Sequence, residues 1–194
     1  MEGTFQAEEA AGQRIMVLFC GSLALIYLVL YTRYRSASLC LIIMAGVPLS
    51  LVGGVLALNL AGQPLSIASM VGFVSLAGIS MRNGILKISH YLNLIIREDA
   101  PFSWNTIVRG SLDRMTPVLM TASAAGFALL PLIVDAGAPG KEILSPVALV
   151  IFGGLISATL LDAVVTPLLF LKVGQRALNH LAAFRGQLLE QKTF

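Results

Sequence analysis

Apolar residues occupy the chain in five long runs, and the polar positions between them mark where each run stops. The first covers about 15–33 and closes on aromatics followed by RYRS; the second covers 39–60, with Pro48 and the Gly53-Gly54 pair inside it. The third, 65–91, opens at Ser66, a suitable helix cap, and stays free of charge until Arg82, Asn83 and Lys87. The fourth covers 116–134 and the fifth 143–171, the latter carrying Gly153-Gly154, Asp162 and Pro167. A helix needs about 20 predominantly apolar residues to cross a bilayer, so the pattern predicts an all-α membrane protein built as a five-helix transmembrane bundle. Between the third and fourth runs, 99–114 reads as an interfacial amphipathic segment. Asp99, Pro101 and Ser103 look like its start, and Phe102, Trp104, Ile107 and Leu112 like its membrane face. The transmembrane domain is thus expected over 15–172, with a short polar linker at 1–14. A polar tail at 173–194 carries an apolar stripe of Leu178, Leu181, Leu188 and Leu189.

Composition sharpens this picture. With 57% hydrophobic residues, 12% charged residues and a mean hydropathy of +0.85, the chain leaves no room for a sizeable soluble domain. The opening MEGTFQAEEAAGQR lacks the basic start and short apolar core of a signal peptide, so the first run is expected to be retained as a helix. Basic residues divide unequally between the two sides of the predicted bundle. Arg33, Arg35, Arg97, Arg109, Arg114, Lys172, Arg176, Arg185 and Lys192 fall on one side, and only Arg14 and Lys141 on the other. By the positive-inside rule the amino terminus is expected outside and the carboxyl terminus in the cytoplasm. No basic cluster with interleaved aromatics points to nucleic acid.

The remaining basic residues, Arg82 and Lys87, lie inside the third run. An Arg at mid-membrane costs roughly 2.5–3.5 kcal/mol on insertion scales, so such a residue is a functional candidate by default. Ala68, Gly72, Ser80 and Gly84 form a row of small residues on the same helix, a surface for close helix packing. This marks the third helix as the centre of the bundle. Arg82 is nine residues from Tyr91 and Asp162 ten from Lys172, which puts both about 15 Å inward from one face. A direct Arg82–Asp162 pair is expected, either as a static structural contact or as a charge switch governed by carboxylate protonation. Thr121 stands seven residues after Arg114, two turns along one helix face. Lys87 reads as a residue that snorkels to the interface, and His90 with Tyr91 as an interfacial belt. Cys20 and Cys40 sit near opposite ends of adjacent spans, which argues against a disulfide. No phosphate loop, nucleophile with a base, or metal-ligand cluster is present in the pattern, so neither enzymatic chemistry nor a metal or other cofactor is expected.

Three segments carry a family resemblance: GISMRNGILKISHY, LDRMTPVLMTASAAGFALLPL and PGKEILSPVALVIFGGLISATLLDAVVTPLLF. They resemble the last membrane helices of resistance–nodulation–division (RND) efflux permeases, most closely the heavy-metal branch. GTFQAEEAAGQRI resembles the periplasmic linker that precedes those helices, and the likeness runs to about Gly174. The resemblance implies helices eight to twelve of a twelve-helix, proton-driven subunit in the bacterial inner membrane. It also implies a homotrimer with a periplasmic adaptor and an outer-membrane channel. In that family a basic residue of the tenth helix meets two aspartates of the fourth in a proton relay, and Arg82 stands at its position. An Arg and a Thr of the eleventh helix belong to the same network, matched here by Arg114 and Thr121. With Asn83 and Asp162, these form the expected charge network. Lys87 departs from the family, which usually has an apolar residue there. The aspartate pair, the first seven helices and the porter regions are not in the sequence, so the chain is not expected to transport alone. Two alternatives stand beside this: a half-subunit that assembles with a separately encoded amino-terminal half, or a truncated product.

Overall fold

In the computed structural model the backbone is described for residues 2–98, 100–134, 140–141 and 143–191, and side chains for 9–98, 100–134, 140–141 and 143–174. Five helices make up the fold: α1 (Glu2–Tyr34), α2 (Ala37–Leu60), α3 (Ile67–Arg97), α4 (Trp104–Val134) and α5 (Leu144–Gln191). Each contains a stretch long and apolar enough to cross a membrane, and no strand occurs among the described residues.

The helix ends follow local chemistry. Ser66 and Ser69 exchange side-chain and backbone hydrogen bonds in a capping box that starts α3. At the end of α2, Gly62 adopts a φ of +64°, while its N–H reaches Asn59 O and the N–H of Gln63 reaches Leu58 O. That Schellman closure satisfies the last carbonyls and needs the left-handed conformation glycine tolerates. Ser103 Oγ accepts the Thr106 N–H at 3.3 Å just before α4 begins.

Three elements run longer than the apolar pattern predicts. The backbone of the expected 1–14 linker is helical from Glu2, and α3 continues past Tyr91 to Arg97. The expected interfacial segment and fourth span are one helix, because α4 accommodates Pro117 without ending. Likewise α5 runs on through the expected tail to Gln191; its apolar stripe, from Leu178 to Leu189, lies outside the residues whose side chains are described.

Among the described residues α3 packs against all four other helices, while α1 touches only α2 and α3, and α4 only α3 and α5. Contacts such as Gly84 against Ile43 and Gly46 against Ser80 set α2 antiparallel to α3. Gly72 against Val147 and Tyr91 against Phe170 set α5 parallel to α3. The core is thickest where Tyr34, Leu39, Ile43, Ile88, Tyr91, Ile107 and Phe170 converge. Smaller apolar clusters along the bundle centre on Met81 and on Leu76 with Val150.

The tightest approach is between α2 and α5. A Cβ placed on Gly53 would lie 2.6 Å from Gly153 O and would overlap the Ser157 side chain, and Ser157 Oγ donates to Leu49 O at 2.9 Å. Glycine on both helices is what permits this crossing.

Candidate functional site

Side chains four and three residues apart share a helix face, and this rule brings α3 and α4 together around a groove. Arg82, Asn83, Leu86 and Lys87 form one wall; Arg114, Pro117, Val118 and Thr121 form the other, enclosing about 190 Å³. Arg82 and Thr121 are exposed, Asn83 and Arg114 half-buried. The Thr121 hydroxyl donates back to Val118 O at 3.0 Å. The lining therefore holds three cationic side chains and no carboxylate.

Lys87 is the exception in its surroundings. It is only 6% exposed, and its Nζ donates to Asp162 Oδ2 at 2.6 Å and to Asp162 O at 2.9 Å. Thr166 donates to the other carboxylate oxygen, Oδ1, so both Asp162 oxygens are engaged. One ammonium thus joins α3 to α5 at the edge of the groove.

This corrects the expected Arg82–Asp162 pair. The depths are close, but direction decides: five residues of helix turn Lys87 about 140° away from Arg82 around the α3 axis. Leu76, which packs on Gly154 of α5, lies eleven residues before Lys87 and nearly on its face. Lys87, not Arg82, therefore looks toward α5. The expected snorkelling of Lys87 is overturned for the same reason, since its head group has an internal partner. That helix-face relation is the signal that marks Lys87 as a site residue. An acid in the fifth span matched by an extra cation in the third is a second signal.

Of the expected network, the structure brings Arg82, Asn83, Arg114 and Thr121 to one groove and sets Asp162 behind it, reached through Lys87. Of the expected packing row, Gly72 meets α5, Ser80 and Gly84 meet α2, and Ala68 is half-buried. Two more ties hold α3 to α4: Tyr91 Oη to Ser111 Oγ at 2.6 Å, and His90 Nε2 to Asp113 Oδ2 at 3.4 Å. Cys20 is exposed and Cys40 buried, and neither forms a disulfide.

Residues 1–174 match the AcrB/AcrD/AcrF family. The chain belongs to that family. Among its relatives, the cobalt-zinc-cadmium resistance protein CzcA of Cupriavidus metallidurans is 34% identical over 168 residues, which is 87% of this chain and 16% of CzcA. The nickel and cobalt resistance protein CnrA of the same organism is 37% identical over 86% of this chain and 15% of its own length. A crystal structure of a heavy metal efflux pump superposes with a TM-score of 0.78 at 34% identity, covering 88% of this chain and 17% of the pump. The chain is therefore an RND-type membrane bundle that spans about a sixth of the length of the family members it matches.

Proposed function

We propose that this chain supplies the last five membrane helices of a proton-driven cation exporter of the bacterial inner membrane, with the α3/α4 groove as the basic half of its proton relay. The observation that carries the reading is the gathering of Arg82, Asn83, Arg114 and Thr121 around a groove whose lining has no acid. Carboxylates from membrane helices outside this chain dock there. When ionised they are held by Arg82 and Arg114; when protonated they lose that attraction and withdraw. Alternation between the two states ties proton passage to a change of bundle shape. Cations are the favoured cargo because the relatives include cobalt-zinc-cadmium and nickel-cobalt resistance proteins. Substrate is taken up in porter regions outside this chain, and the working assembly is a trimer with adaptor and outer-membrane channel.

The test is a chimera in which this chain replaces the matching segment of a full-length cation-exporting relative. Arg82→Leu is expected to abolish both metal tolerance and proton-coupled metal transport, with Arg82→Lys retaining part of each. Tolerance and transport unchanged in Arg82→Leu would sink the proposal.

A further inference from the structure

Lys87 belongs to two places at once: it lines the groove, and its ammonium rests on Asp162. From this we infer that Asp162 is a second proton-carrying carboxylate, and that Lys87 is the arm by which its protonation is felt in the groove. The inference deepens the relay reading and rests on it for its consequence, though not for its first step.

The charged and titratable surroundings of Asp162 are few. On α3 they are Lys87 and Tyr91, whose hydroxyl is already engaged by Ser111 of α4. On α4 the nearest cation of the groove is Arg114; α2, the other helix packed on α5, has no Asp, Glu, Lys, Arg or His. Along α5 itself Thr166 donates to Asp162, and Lys172 lies ten residues on. Lys87 is therefore the single close counter-charge among the described residues.

With Asp162 ionised, the pair is neutral and Lys87 is turned away from the groove. Uptake of one proton from water forms a neutral carboxyl and leaves the pair with a charge of +1, all of it on Lys87. The ammonium has then lost its partner, and its long flexible stem borders a groove built for carboxylates. Lys87 swings to a carboxylate docked there, becoming a third cation in that site beside Arg82 and Arg114. Loss of the proton from Asp162 draws the ammonium back. The pair thus gives this chain an acid of its own, coupled to acids supplied from elsewhere.

Solid-state NMR of the intact chain in lipid bilayers, with ¹⁵N-lysine and ¹³C-aspartate, tests the first step. A Lys87 Nζ to Asp162 Cγ cross-peak, assigned by its loss in Lys87→Met, is expected at about pH 8 and is expected to vanish toward about pH 5 as the carboxyl protonates. A cross-peak and an Asp162 Cγ shift that stay constant across this range would show a static clip and overturn the inference. The second step is tested in the chimera by Lys87→Asp combined with Asp162→Lys, which keeps the pair but moves the ammonium onto α5. Normal membrane insertion with about a tenfold fall in proton-coupled transport is expected, whereas wild-type transport overturns the arm. The NMR result needs no foreign carboxylate, so it stands or falls separately from the Arg82 phenotype.

Discussion

Arg82 and Lys87 are fixed cations on one helix, five residues apart, and packing gives them different energetics. Arg82 is exposed at the groove; Lys87 is enclosed with a carboxylate whose side chain is 15% exposed. Removing one member of a buried pair leaves the other uncompensated, at about 3–5 kcal/mol, whereas replacing both with apolar groups of similar volume is often neutral or better. Lys87→Met is therefore expected to destabilise the bundle by about that amount, and Lys87→Met with Asp162→Leu to recover most of it. Denaturant titration in detergent, read as a double-mutant cycle, checks both. The presence of a charge network was legible in the sequence because ionisable residues are scarce inside apolar helices, so Arg82, Lys87 and Asp162 stand out. Its wiring was not. Depth along a helix can be counted from its ends, but which side of α3 meets α5 depends on contacts such as Leu76 on Gly154, which a single sequence does not contain.

Helix packing shows the same division between what spacing reveals and what contacts decide. The row Ala68, Gly72, Ser80 and Gly84 is visible as a pattern, yet its members serve two neighbours, α5 for Gly72 and α2 for Gly84. The closest crossing lies instead between α2 and α5, at glycine pairs that the sequence displays without saying that they face one another. A leucine at Gly153 would meet Ala57 and the Gly53 carbonyl across this crossing, so Gly153→Leu is expected to cost about 1–3 kcal/mol or to displace α5. Gly21→Leu on α1, where nothing lies within 4 Å of an added Cβ, is the matched control and is expected to be neutral. Thermal unfolding of the two variants in the same detergent separates them. Span centres were readable because apolar runs are long; ends were not. Pro117 suggests a helix start, but a proline removes only one hydrogen bond, and the apolar residues on both sides keep α4 continuous through it.

Across the whole bundle, burial is uneven in a way that bears on what the chain does alone. The apolar windows of α1 and α4 are each 6% buried, against 50% for α2, so the two outer helices present most of their surface to lipid or to further helices. The groove between α3 and α4 opens on one of these outer surfaces, with Arg82 and Arg114 as its charge. Arginine stays protonated throughout the physiological range and cannot itself take up and release a proton. A groove lined by arginines therefore completes a relay only when carboxylates enter it, and the sole acid paired into this part of the structure, Asp162, is held on the far side of Lys87. Even where Asp162 titrates, its proton has no cargo movement to drive without porter regions. Lipid vesicles containing this chain alone are thus expected to show proper helical content, no zinc or cobalt movement, and no acid-driven uptake above that of empty vesicles. Co-reconstitution with the remaining helices and porter regions of a cation-exporting relative is expected to yield transport that Arg82→Leu abolishes. Metal–proton exchange by the solitary chain, measured with a pH-sensitive dye and a metal indicator in the same vesicles, would mean that the groove works without outside acids.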